Sequence, residues 1–297
     1  MSPEITFWNP YTSSYEEENI YGEKWLRFSY DTILGRIGLW SMVQRKWFSD
    51  WYGRKMDLPK SKSKILPFIE KYDLKEEEFL EAPNSFNTFN EFFYRKLKPS
   101  ARPIDSDGLI FPADGRHLLI SDASKVGFIY AKGQAFDLDR LLGCPNKAEL
   151  YSQGSILISR LCPVDYHRFH FPMDGKLSQT SLINGHLFSV SPIALRQRLS
   201  IFWENKRYLS TLSHPQVGAV TQILIGATCV GSVHLTRDGS SEVRKGDEYG
   251  YFSFGGSCVM TLFPKNSIVF RDDLIKQSSQ GLESYFKFGD YLGKATD

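Results

Sequence analysis

Three short stretches of this chain carry residue types that can do chemistry. The last is Phe254-Gly255-Gly256-Ser257-Cys258-Val259. A glycine pair running into a strand-like segment costs stability and marks close approach or unusual backbone angles. It reads either as a bulge or as a peptide whose carbonyl lies open to the Ser257 hydroxyl. The middle stretch runs from Cys162 through Asp165-Tyr166-His167-Arg168-Phe169-His170 to Pro172 and places two of the six histidines three residues apart. Prolines at both ends make it a strand end or loop rather than a long helix, and loops on a β scaffold often bear functional side chains. His167 and His170, with Asp165 or Cys162, could ligate a metal, but no HExxH or CxxC pattern supplies the remaining ligands. Acid–base work suits the pair better, because imidazole exchanges a proton near neutral pH. The first stretch, Pro112-Ala113-Asp114-Gly115, is by itself an ordinary turn signal.

Asp114, a histidine and Ser257 are together the three groups of serine activation, which are recognised by role and not by order. Gly-Gly-Ser-Cys-Val is not the Gly-x-Ser-x-Gly elbow of the commonest serine hydrolase fold. Taken alone, the residues permit an activated serine and go no further.

The elements that must position these groups fall into an α+β pattern. From about residue 108 short Val-, Ile-, Leu- and Phe-rich runs alternate with turn residues, at Leu109–Phe111, Leu118–Ser121, Gly127–Ala131, Ser155–Leu161, Thr221–Gly226, Cys229–Leu235 and Ser257–Phe263. This predicts a mainly β catalytic core over residues 86–297, broken by helices at Asp137–Leu142 and Pro192–Leu199. Residues 1–85 read as a helical region. A further helix is expected after Asp73, and another from Asn90 to Leu97 with Phe89, Phe92, Phe93 and Leu97 inward. Ser278–Asp297 is polar and is expected to be loosely ordered.

Five of the six tryptophans precede residue 52, and Gly22–Lys55 holds seven Lys/Arg against three Asp/Glu. Such a segment can lie on a lipid surface or pack on the core. No stretch of about 18 apolar residues spans a membrane, and the first ten residues carry no secretory pattern. A net charge of +2 speaks against nucleic acid. Cysteines at 144, 162, 229 and 258 are too few and too scattered for a disulfide scaffold and read as free thiols of a reducing compartment.

Several of these stretches, in order, resemble the phosphatidylserine decarboxylase family. They are Phe89-Asn90-Glu91-Phe92-Phe93 with Arg95, Leu97, Lys98, Pro99, Arg102 and Pro103; Pro112-Ala113-Asp114-Gly115; Lys132-Gly133; Asp165 to His170 with Pro172 and Gly175; Gly226-Ala227-Thr228 with Val230-Gly231; Lys245-Gly246-Asp247-Glu248 with Gly250 and Phe252; and Gly256-Ser257. Where the family has Leu-Gly-Ser-Thr, this chain has Gly255-Gly256-Ser257-Cys258, which keeps the Gly-Ser junction.

The resemblance implies a precursor that cuts itself between Gly256 and Ser257 into chains 1–256 and 257–297. Ser257 becomes a covalent pyruvoyl group, and no metal is needed. By motif position, His170 takes the Ser257 proton, Asp114 supports that imidazole, and His167 protonates the substrate carbon after CO2 leaves. The substrate would be phosphatidylserine and the product phosphatidylethanolamine, in phospholipid biosynthesis. The resemblance further implies a homodimer, and it favours membrane docking of the Trp-rich segment, peripheral on the cytoplasmic face of the cell membrane. Two rival readings are a pyruvoyl decarboxylase of a soluble amino acid and a relative that binds lipid without turnover.

Overall fold

The computed structural model describes residues 5–18, 53–125, 136–227, 233–254 and 257–296. The strand Ser257–Phe263 lies at its centre and is buried at every position. A strand with neighbours on both edges and cores on both faces must be apolar almost throughout, and Cys-Val-Met-Thr-Leu-Phe nearly is. Antiparallel partners flank it, Gly218–Ile225 on one edge and Ser155–Leu161 on the other.

From that centre an eleven-stranded sheet extends both ways. On one side Gly218–Ile225 is followed by Arg207–His214, Gly175–Leu177 and Ser241–Val243. Ser181–Ile183 also pairs with Arg207–His214. On the other side Ser155–Leu161 is followed by Gly115–Ile120, Glu283–Phe286, Thr6–Asn9 and Ser14–Glu17.

Successive side chains of a strand face opposite ways, and the sheet uses both faces. Cys258, Met260 and Leu262 join Ile156, Ile158 and Ile223 in one core, with Leu141, Tyr151, Leu195 and Phe202 from the covering helices Leu138–Leu142, Pro145–Tyr151, Pro192–Gln197 and Ile201–Glu204. Val259 and Phe263 face a second core with Leu157, Leu224, Phe169 and Leu274. A third cluster of phenylalanines (Phe68, Phe79, Phe86, Phe89, Phe92, Phe93 and Phe254) packs where the N-terminal helical turns meet the segment before Gly255. Two three-stranded sheets complete the fold. One orders Val233–Leu235, Glu248–Phe252 and Arg168–His170; the other orders Ile268–Phe270, Tyr291–Ala295 and Leu109–Ile110.

The α+β class and the mainly β core agree with the sequence. Ser155–Leu161 and Ser257–Phe263 have the expected bounds, and Asp137 caps the helix Leu138–Leu142 by accepting the Arg140 N–H. Three expectations need correction. Residues 6–17 are not helical but form a hairpin of two strands on the sheet edge. Asp73 does not open a helix; it closes Ile65–Tyr72 in the left-handed conformation. The tail is ordered, with a helix at Asp272–Ser279 and strands at Glu283–Phe286 and Tyr291–Ala295. The tail reads as polar because much of what it buries is polar, including Gln277, Ser278, Glu283 and Ser284. The expected strand at 127–131 and nearly all of the Trp-rich segment lie outside the described residues.

One buried ion cluster ties the sheet edge to the centre. Arg160 donates to Glu283 Oε1 at 3.1 Å and Oε2 at 2.7 Å, and to both carboxylate oxygens of Glu18. Burial alone would raise the Glu18 pKa, but the Arg160 charge overrides it and holds the carboxyl at about 2. Removing one member of such a cluster leaves uncompensated buried charge. Arg160→Met is therefore expected to cost about 3–5 kcal/mol. Urea unfolding in a Ser257→Ala background, chosen to keep the chain in one piece, measures it; a loss below about 1 kcal/mol, the usual worth of an exposed pair, would contradict the burial seen here.

Candidate active site

Ser257 opens the central strand opposite Leu161 and has no exposed surface. The chain leaves Leu161 at Cys162, turns, and returns at His167 to face the serine. The turn is braced by Asp165, whose N–H donates to the Cys162 carbonyl at 2.8 Å and whose Oδ2 accepts the Cys162 N–H at 2.7 Å. Arg116, from the neighbouring strand, holds the same carboxylate at 2.8 Å.

His167 Nδ1 lies 3.3 Å from Ser257 Oγ. The other ring nitrogen, Nε2, lies 2.9 Å from the Cys162 carbonyl oxygen. A carbonyl can only accept, so Nε2 carries the proton and Nδ1 presents a lone pair to the hydroxyl. A backbone carbonyl thus fixes the tautomer here, the part that a carboxylate plays in a serine triad. Phe93 stacks on the His167 ring with centroids 3.8 Å apart. Burial, with Arg95 nearby adding repulsion, pushes the His167 pKa down to about 3, so the ring is neutral.

His170 sits at the end of its own short strand. It is also driven down to about 3, by burial first and then by Arg168. Its ring stacks on Phe288 at 3.5 Å, and its Nδ1 is buried with no hydrogen-bond partner. Asp114 is bound by Arg102, through Nε at 2.9 and 3.0 Å and Nη2 at 2.5 Å, and it accepts the Phe288 N–H at 2.8 Å. Asp114 therefore adjoins His170 through Phe288, not through a hydrogen bond to the imidazole. Gly115 follows Asp114 because a Cβ there would stand 2.5 Å from the Arg160 carbonyl oxygen. Among the described residues, no group of three His, Cys, Asp or Glu side chains is placed to hold a metal ion.

Of the four expected site residues, His167 touches Ser257, whereas Asp114 pairs with Arg102 and meets His170 through Phe288. Gly256 lies outside the described residues. The residue before the glycine pair is gripped: the Phe254 N–H donates to Asn90 Oδ1 at 2.9 Å, and its ring packs on Phe89 and Phe93. Thr88 caps the helix Phe89–Phe93 by accepting the Glu91 N–H, and this helix ends at Phe93 rather than at the expected Leu97.

The site also uses residues that the reading of single side chains passed over. Asn90, Phe93 and Arg102 fall inside motifs already singled out. Phe288 carried no signal, because it lies in the tail expected to be loose. Glu248 of the Lys-Gly-Asp-Glu motif pairs with Arg168 at 2.9 Å and so braces the strand that ends in His170.

Comparison with known proteins identifies the family. The family model described as phosphatidylserine decarboxylase matches residues 89–294. A protein of Chlamydia muridarum named phosphatidylserine decarboxylase proenzyme is 42% identical over 296 residues, covering 99% of this chain and 98% of its own. Proteins of the same name from Fusobacterium nucleatum and Clostridium beijerinckii are 39% and 40% identical, covering 95% and 97% of this chain and 95% and 98% of their own. The extent of the family match and the full-length similarity of these relatives lead to one conclusion: this chain belongs to the phosphatidylserine decarboxylase family.

Proposed function

We propose that the chain is a self-cleaving precursor whose mature form decarboxylates phosphatidylserine to phosphatidylethanolamine and CO2. The observation that carries the reading is the Ser257 hydroxyl, buried and facing the lone pair of a neutral, tautomer-fixed imidazole. Attack of Ser257 Oγ on the Gly256 carbonyl turns the amide into an ester. Elimination at residue 257 then releases chain 1–256 as a carboxylate, and water replaces ammonia on chain 257–297 to leave a pyruvoyl end. Ser257 fits this conversion, since its hydroxyl is fully buried beside an imidazole and its strand stays clamped by neighbours on both edges. The pyruvoyl carbonyl, once formed, supplies the electron sink for loss of CO2.

Two imidazoles divide the proton transfers. We assign the self-cleavage base to His170, supported by its buried, unpartnered Nδ1 and by Asp114 on the far side of Phe288. His167, already beside residue 257, delivers the proton to the substrate carbon. Phe93 stacked on its ring and the Cys162 carbonyl on Nε2 hold it there. A lipid substrate gives the basic, Trp-rich segment its use as a docking element, peripheral on the cytoplasmic face of the membrane.

Intact mass and CO2 release test the assignment together. Ser257→Ala and His170→Ala are expected to stay as one chain. His167→Ala is expected to be cut but to lose about 10²–10⁴-fold in turnover, the usual worth of a positioned acid or base. The converse pattern, with His167→Ala uncut and His170→Ala cut, would give the first step to His167. An uncut wild-type chain would remove the proposal.

Neutral buried histidines also set a pH dependence. His117, His167 and His170 are all held near 3 in the fold, whereas the unfolded chain takes up these protons near pH 6.5. Protonation below 6.5 therefore favours the unfolded state, so the stability is complete above that pH and is lost on acidification toward 3. Urea unfolding of the Ser257→Ala chain between pH 6 and 5 is expected to show a slope approaching three protons, about 1.4 kcal/mol per pH unit for each. A flat profile would mean that the rings are charged or exposed.

A further inference from the structure

A cavity of about 340 Å³ opens beside the active site, and its wall includes Asp165 and Tyr166, the two residues before His167. Most charges around it are matched. Arg102 bonds Asp114 and Glu78, Asp165 bonds Arg116, and Lys287 lies 3.6 Å from Glu78. Arg95 differs. It is 5% exposed and lines the cavity, yet among the described residues no carboxylate forms an ion pair with it, although Asp114 and Asp165 are near enough to favour its charge. Its Nε has no hydrogen-bond partner, and its Nη1 reaches the Phe92 carbonyl only at 3.4 Å. The guanidinium instead lies over the rings of Phe79 and Phe92, 4.8 Å from each centroid.

A buried cation stacked on aromatic rings, with its donors unspent at a cavity wall, is a prepared anion site. Arg95 lies two residues from Phe93, whose ring stacks on His167, and its charge helps to keep that imidazole neutral.

We propose that Arg95 is the residue that binds the phosphodiester of the substrate headgroup, with the serine moiety extending from it toward residue 257. The substrate carries two anions, and the chemistry separates them. The carboxylate loses its charge as CO2 forms, so a guanidinium on it would stabilise the ground state more than the transition state and slow the reaction. The phosphodiester keeps its charge throughout, and binding it lowers KM without opposing the chemical step. Arg95 is thus a binding and positioning residue.

The proposal rests on the decarboxylase reading, so cleaved wild-type enzyme is first shown to release CO2 from dispersed phosphatidylserine; failure there sinks that reading rather than this one. KM and kcat are then compared for wild type, Arg95→Met and Arg95→Lys, together with inhibition by glycerophosphoethanolamine, which keeps the phosphodiester and lacks the carboxylate. Arg95→Met is expected to be cut normally, to raise KM about 10–100-fold with kcat within about threefold, and to weaken that inhibition by the same factor, since a charged hydrogen bond carries about 1.5–3 kcal/mol. Arg95→Lys, which retains the charge without the fork, is expected to fall between the two. The proposal is overturned if inhibition is unchanged while kcat falls, which would point to the carboxylate. It is equally overturned if Arg95→Met matches wild type, or if both variants remain uncut, which would make Arg95 a residue of folding or self-cleavage.

Discussion

A serine hydroxyl with no exposed surface can pass its proton only to a neighbour inside the fold. That constraint organises the active site. Ser257 must open a strand buried on both faces and both edges, so no bulk water can act as base and every acceptor has to be built in. The turn from Cys162 to His167 sets one imidazole beside the hydroxyl by returning the chain to the strand it has just left, and the short strand that follows carries the second, His170. The Asp165 carboxylate satisfies the Cys162 N–H, and the Cys162 carbonyl fixes the imidazole. Arg116 offsets part of the burial that raises the Asp165 pKa. Each polar group in the loop is thereby the partner of another, as a low-dielectric site requires.

The same constraint explains the aromatic block upstream. A peptide cannot be attacked if it wanders, and the segment before the glycine pair has no sheet partner of its own to hold it. Asn90 and the rings of Phe89 and Phe93 fix Phe254 instead. Phe93 faces two ways, packing Phe254 on one side and His167 on the other. The motif Phe89-Asn90-Glu91-Phe92-Phe93 thus serves as a clamp between the cleavage segment and the histidine, although none of its side chains is a chemical group in the reaction.

What was legible in the sequence followed the strength of the local signal. Ser155–Leu161 and Ser257–Phe263 are continuous apolar runs between turn residues, and both strands have the expected bounds. Asp114, His167, His170 and Ser257 could be named because few residue types can do this chemistry and their motifs flank strands. The pairing among them was not legible. Three residues separate the two histidines, and only the path of the Cys162–His167 turn decides which one reaches the serine. Arg102 claims Asp114 from twelve residues away, a contact that no local pattern announces. The ordered tail was missed for a related reason: Glu283 and Ser284 are buried by long-range partners such as Arg160, so a buried strand reads as a polar one.

The burial of Ser257 bears on what kind of chain end a break there can leave. Ordinary hydrolysis before residue 257 would create an ammonium group inside the sheet, beside an imidazole too buried to share its charge. Lodging an uncompensated ion in such a place is prohibitive. A carbonyl-capped end carries no charge and needs no counter-ion. The interior that shields the serine from water therefore also selects among the products of scission, and it favours the one termination that an apolar sheet can retain without rearranging.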